Sequence, residues 1–143
     1  MKTYIAKDKD ITKAWRVVDA SDKILGRLAT QVAAILIGKD KVIFSPHQDV
    51  GDEVIVVNAA WIKVTGKKMA SKEYKSYSAY PGGLNTRTLD AVMKKSPEYV
   101  IRHAVKGMLP KTKLGARMLK KLRVYAGGAH PQAAQKPKEL KLT

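Results

Sequence analysis

The chain has no cysteine, which removes disulfide scaffolds, thiolate metal sites and thiol chemistry together. Acids are scarce: 12 Asp and Glu face 28 Lys and Arg, leaving a net charge of +16 over 143 residues. Long hydrophobic runs are also missing. The most apolar stretch, residues 24–37, is interrupted by Arg27 and Gln31, too short and too polar to cross a bilayer. No segment pairs a broad exposed apolar face with flanking charge, so a membrane is not an expected partner. The opening MKTYIAKDKDITKAW carries Asp8 and Asp10 and reads as neither a secretion signal nor a transit peptide. A soluble, cytoplasmic protein is expected.

Catalytic and cofactor patterns are equally thin. A dinucleotide fingerprint needs a glycine-rich turn after the first strand, but that turn is Ser21-Asp22-Lys23, with Gly26 alone inside the following helix. TGKK at residues 65–68 has Trp61 where a phosphate loop has its first glycine, and Lys68 where it has a hydroxyl. Neither the close backbone approach nor the magnesium ligand is available. His47, His103 and His130 lie too far apart for metal-ligand spacing, and no G-x-S-x-G elbow occurs. Asp49, Asp52 and Glu53 read as a solvated loop beside a strand rather than as paired catalytic carboxylates. The sequence predicts no enzyme, no catalytic residue, no cofactor, no metal and no small-molecule substrate.

What is present is charge with an uneven distribution. Up to Ser71 there are 12 basic and 8 acidic residues; beyond it there are 16 and 4, and no acid stands between Glu98 and Glu139. Self-repulsion on this scale disfavours an isolated compact chain unless a polyanion relieves it. Nucleic acid does so, because phosphate neutralisation releases counterions. An apolar fraction of 45% and a length of one domain point to a folded protein with a core rather than a disordered polycation.

The pattern along the chain is α/β. RVVDA, residues 16–20, reads as a short strand. Leu25, Leu28, Ala29, Val32, Ala33 and Leu36 then recur at helical spacing, with Ser21 or Asp22 as the candidate cap and Gly38 as the stop. VIVV, residues 54–57, is a strand buried on both faces, the habit of parallel sheets. Residues 63–83 are turn-rich and tyrosine-rich and read as an arm or loose hairpin ending at Pro81-Gly82-Gly83. Nothing in Lys67 to Tyr80 supplies a buried stripe, so that stretch is expected to be mobile until a partner orders it. Thr88 is placed to cap a helix through Lys95, and Ser96-Pro97-Glu98 starts another, with Pro97 at the first helical position. Residues 114–121 form a last helix, LRVYA a last strand, and residues 127–143 an extended basic tail. One domain, residues 1–143, accounts for the whole.

The candidate binding residues fall in three groups. On a helix from Lys113, the residues Lys113, Arg117, Lys120 and Lys121 lie at i, i+4, i+7 and i+8, while Leu114, Met118 and Leu122 follow another stripe. Each buried apolar side chain contributes roughly 1.5–3 kcal/mol, enough to hold the cations in a fixed array. In the arm, Tyr74, Tyr77 and Tyr80 alternate with Lys72 and Lys75 near Lys67 and Lys68, a mixture suited to stacking on unpaired bases while lysine tracks the backbone. Tyrosines packed back on the core remain the alternative. Lys136 and Lys138 add charge to the tail. Fixed cations, an arm and a tail suit a folded RNA with irregular grooves better than regular duplex DNA.

VVDA, LGRLAT, VIVVNA, VTGKK, YPGG, AVKGMLPK, KLRVYAG and HPQAAQKP follow one another in an order and spacing that resemble the family of the thirteenth protein of the bacterial large ribosomal subunit. The resemblance covers nearly the whole chain. It implies a three-layer α/β/α core around a small, mostly parallel sheet, with an extended basic arm and a C-terminal tail. It further implies a structural, non-catalytic protein that binds large-subunit ribosomal RNA, meets neighbouring large-subunit proteins and joins assembly early. An RNA-facing role carries over to Lys106, Lys111, Lys113 and Arg123. Tyr77 stands where the family commonly has histidine, Ala79 where it has glycine, and Gln132 where a further histidine is frequent. The alternative left open by the charge is a free basic regulator that represses an mRNA, its own message included.

Overall fold

A computed structural model describes residues 4 and 6–140. The two ends of the chain, residues 1–3, 5 and 141–143, lie outside the described residues, and with them part of the readings of the N-terminus and the tail. The first strand, β1 (Trp15–Asp19), leads into helix α1 (Leu25–Ile37) and back to β2 (Glu53–Val57). A short helix α2 (Lys68–Ser71) precedes a hairpin, β3 (Glu73–Tyr77) and β4 (Leu84–Thr88). Three helices follow, α3 (Leu89–Lys95), α4 (Pro97–Met108) and α5 (Lys113–Lys120), then β5 (Leu122–Val124) and β6 (Lys138–Glu139).

The main sheet has the order β5-β2-β1-β6, and every pair in it is parallel. This is the α/β class that alternating strand and helix patterns predict. Register explains why β2 is so apolar. Val18, Val56 and Val124 align in one row, and Val54 aligns with Leu122; all are buried in the cluster that includes Leu28, Val32 and Leu36 of α1 and Val100, Ile101 and Val105 of α4. Ile55, on the opposite face, is also fully buried. A central parallel strand is covered on both sides, and four apolar residues in a row are what that requires.

Gly38 ends α1 as the sequence suggests. Its φ of 86° is left-handed, and its N–H donates to Ala34 O at 2.9 Å and Ile35 O at 3.1 Å, satisfying carbonyls a helix end leaves open. The start of α1 differs from expectation. Neither Ser21 nor Asp22 caps it; the helix begins at Leu25 behind Ile24, with no side-chain cap. The Leu25 N–H instead donates to Lys63 O at 2.9 Å. Asp22, held at a φ of 59°, pairs with Lys63 at 2.6 Å. Pro97 does sit in the first turn of α4, where its missing N–H costs nothing.

The segment 63–83 is less detached than expected. It becomes α2 and a true antiparallel hairpin whose second strand runs past Gly83 to Thr88. Tyr74 anchors it: the side chain is buried in the core cluster and packs edge-on against Tyr99 and His103 of α4, with ring centroids 6.0 and 5.2 Å away. A single aromatic thus replaces the buried stripe that the arm lacks. The tail also differs from a plain extension. It makes a short turn at Gln132–Gln135 and then adds β6 to the edge of β1, with the Leu140 N–H donating to Val17 O at 2.8 Å.

Candidate nucleic-acid interface

Thr112 and Gly115 set the position of α5. The Gly115 N–H donates to Thr112 Oγ1 at 3.3 Å, which caps the helix. A Cβ on Gly115 would stand 1.9 Å from Pro110 O, so only glycine lets the loop after α4 lie against the first turn of α5. Met118 and Leu122 are buried and Leu114 packs partly against the core. The other side of α5 carries Lys113, Arg117 and Lys120, all exposed. The two stripes predicted from spacing are therefore present.

Between α4 and α5 lies a cleft of about 620 Å³ whose walls carry Arg102, Lys106, Lys111 and Lys120 over an apolar floor that includes Leu109, Pro110, Leu119 and Leu122. No carboxylate lines it. Lys111 closes one end by donating from Nζ to Lys106 O at 2.7 Å and Gly107 O at 3.1 Å, placing its charge at the negative end of α4. Among the described residues, Arg102, Lys106, Lys113, Arg117 and Lys120 have no ion-pair partner. Cations beside a low-dielectric apolar surface are less screened than cations in open water. Such a cleft is electrostatically suited to an anion.

Lys121 does not belong to that surface. The helix ends at Lys120, and the Lys121 ammonium turns inward, 6% exposed, to donate to Asp49 Oδ1 at 2.5 Å, Gly51 O at 3.0 Å and Leu36 O at 3.1 Å. All three of its protons are used. Burial pushes its pKa down, and the Asp49 hydrogen bond and charge pull it only part of the way back. Arg123 is also committed: it pairs with Glu53 at 2.5 Å and stacks over the Trp15 ring at 4.7 Å. Two of the residues expected to face RNA thus hold the fold together, and Asp49 and Glu53, two of the three acids expected to be solvated, are their partners. Asp52, 1% exposed, receives Arg16 Nε at 2.7 Å, the Ala14 N–H at 3.1 Å and Lys41 Nζ at 2.5 Å. Burial alone would push the Asp52 carboxyl up; the Lys41 bond, the Ala14 N–H and the Lys41 and Arg16 charges outweigh it and hold the pKa below the usual range.

The remaining candidates are spread more widely. Lys106, Lys111, Lys113, Arg117 and Lys120 gather around α4 and α5. Arg117 leans to the far flank of α5, beside His47 and Asp49. Tyr77 and Tyr80 stand exposed at the hairpin tip, whereas Tyr74 is buried and unavailable for stacking on a base. Lys67, Lys68 and Lys75 are exposed near the hairpin, and Lys136 and Lys138 are exposed on the tail, so the structure does not bring these groups into one site. Sequence reasoning passed over Arg102. Its i, i+4 spacing with Lys106 on α4 was the available signal.

Among the described residues no group of His, Asp or Glu could hold a metal ion, and no helix is long and apolar enough to cross a membrane.

Comparison with known proteins covers the same ground from the sequence side. The profile of ribosomal protein L13 matches residues 13–131. The large ribosomal subunit protein uL13 of Maridesulfovibrio salexigens is 59% identical over 140 residues, 98% of this chain and 99% of its own. Those of Citrifermentans bemidjiense and Caldanaerobacter subterraneus subsp. tengcongensis are 54% and 53% identical over 142 and 140 residues, covering at least 98% of either chain. Many folds offer a cationic cleft, but a profile match over most of the chain and identity above half over nearly its whole length leave one assignment: the chain belongs to the ribosomal protein L13 family.

Proposed function

We infer that this protein is a structural component of the large ribosomal subunit, that it holds large-subunit ribosomal RNA through the cationic surface of α4 and α5, and that it acts early in subunit assembly without a catalytic role. The observation that carries the reading is the α4–α5 cleft: four cations around an apolar floor, with no carboxylate among its walls. A phosphate entering it displaces counterions and meets fixed charges that need no rearrangement. Arg102 can engage two phosphate oxygens through its planar fork, whereas Lys106, Lys111 and Lys120 act as point charges. The exposed Tyr77 and Tyr80 and the cations of the hairpin and tail extend contact beyond the cleft, toward RNA or toward neighbouring subunit proteins.

Sedimentation tests the assignment. The protein is expected to travel with large subunits and to stay with them through a high-salt wash, because a folded RNA encloses it on several sides. Release at moderate salt, with the protein recovered on an mRNA, would replace this reading with that of a free regulator.

A further inference from the structure

Helix α4 has a second cationic flank. Arg102 and Lys106 line the cleft toward α5, while His103 and Gly107 line another cleft, toward α1 and α2. Adjacent helical positions differ by about 100°, so the two clefts open in different directions on either side of one ridge. The second has a volume of about 630 Å³ and carries Arg27, Lys68, Lys72 and His103. No acid lines it. The nearby Asp22 is already neutralised by Lys63 at 2.6 Å. Among the described residues, Arg27, Lys68 and Lys72 have no carboxylate partner, and Lys72 rests over the Tyr74 ring at 5.5 Å.

The walls of this cleft are cut back where a backbone would have to pass. Gly26 on α1 and Gly107 on α4 are exposed, and a Cβ at either would meet nothing within 4 Å. These glycines are not demanded by packing inside the protein, and both weaken the helices that contain them. Thr30 Oγ1, which also lines this cleft, donates to Gly26 O at 2.8 Å and reaches Met108 Sδ at 3.6 Å. The same side of α1 lacks a side-chain cap and has no acid in the first turn, so nothing there opposes a negative ligand.

We propose that this α1–α2–α4 cleft is a second RNA-backbone site, separate from the α4–α5 cleft, and that α4 is a wedge between two different segments of ribosomal RNA. The proposal rests on the RNA-binding reading above and adds a second contact to it. Charge selects the occupant: an array of unpaired cations without acids matches a phosphate backbone, and the two open glycines give that backbone room to approach the helices.

The lack of native cysteine allows a direct test. Single substitutions Thr65→Cys, at the second cleft, and Ala116→Cys, at the first, are each loaded with a tethered iron chelate and incorporated into large subunits, and hydroxyl-radical cuts in the RNA are mapped. The expected result is two sets of cuts in two distinct RNA segments. If both positions cut the same segment, or only Ala116→Cys cuts, the wedge is wrong and the α4–α5 reading stands. If neither position cuts ribosomal RNA, both readings fall. In parallel, the Arg27→Ala, Lys68→Ala and Lys72→Ala triple variant should keep the wild-type melting temperature, bind the RNA about tenfold more weakly and lower the salt slope by about 2 units. A folded triple variant with unchanged affinity and slope would overturn the proposal.

Discussion

At the N-terminal ends of the parallel strands, cations and acids meet in pairs; over α4 and α5 the cations have no acid partner among the described residues. Lys120 and Lys121 show the contrast at its sharpest, being neighbours in sequence and opposites in the fold. Lys121 places its ammonium among Asp49, Gly51 and Leu36, while Lys120 lines an open cleft without an acid. Lys41 repeats the first arrangement, donating to Thr12 O at 2.7 Å, Val50 O at 2.8 Å and Asp52 at 2.5 Å. Two buried or half-buried lysines therefore pin the connection between α1 and β2. Burying a charge is tolerated only when every proton finds a partner. The difference teaches that charge alone does not mark a binding residue in a chain of net +16. The proposed binding cations are the ones the fold leaves without an acid.

Removing a paired cation should therefore injure the fold, and removing an unpaired one should injure binding alone. The largest effect is expected at Lys121. Lys121→Ala leaves the Leu36 and Gly51 carbonyls without this donor and Asp49 with only Lys13, 3.3 Å away, and should cost roughly 3–5 kcal/mol in chemical denaturation. Lys121→Met fills the space and should recover part of that loss. A Lys121→Ala protein as stable as the parent, with weakened RNA binding, would move Lys121 to the other group.

Next in size is Gly115→Ala. Its Cβ would stand 1.9 Å from Pro110 O, a backbone atom that cannot swing aside, so strain of about 1–3 kcal/mol is expected. Because the displaced segment is one wall of the α4–α5 cleft, RNA affinity should fall even when the protein is folded. Wild-type stability in Gly115→Ala would show that the loop moves freely.

Acid sharpens the same division. The folded-state pKa of Asp52 is lowered, so its contribution to stability is complete above the unfolded carboxylate value of about 4 and fades as the pH drops through the lower folded value. Denaturation measured from pH 7 downward should show a loss beginning near pH 4. Substituting Asp52→Asn should flatten that part of the profile while lowering stability at neutral pH. A profile unchanged by Asp52→Asn would remove Asp52 from the account of acid sensitivity.

The smallest effect lies in the hairpin turn. Ala79 has a φ of 60°, a left-handed position where a Cβ is strained and glycine is not. Ala79→Gly is expected to stabilise the protein by about 0.5–1 kcal/mol, visible as a small rise in melting temperature with RNA affinity unaltered. A fall would mean the turn depends on the alanine methyl.

Elements with a strong local signature were legible in the sequence. The apolar period of residues 25–36, the β-branched run at 54–57, Gly38 and Pro97 each fix their own conformation, and α1, β2 and the start of α4 follow. The packed and cationic stripes of α5 were legible for the same reason, since helical spacing sorts residues by face. What escaped was set by contacts distant in sequence. Lys121 is drawn inward by Asp49, 72 positions away, and Arg123, still partly exposed, is held by Glu53, 70 positions away; no local pattern encodes either meeting. Tyr74 anchors the hairpin through Tyr99 and His103 on α4, so a segment without periodicity of its own still acquires a buried residue. Asp22 could not cap α1 because the backbone there turns left-handed and the loop around Lys63 claims both the acid and the helix N–H.

The central claim is that the unpaired cations of the α4–α5 cleft bind RNA and contribute nothing to folding. Its most direct test is the salt dependence of binding to large-subunit ribosomal RNA for the Arg102→Ala, Lys106→Ala and Lys120→Ala triple variant, measured beside its melting temperature. The account predicts an unchanged melting transition, weaker binding, and a salt slope reduced by about 2–3 units, somewhat under one for each phosphate released. A triple variant that melts as the parent does and binds with the parent's affinity and slope would contradict it.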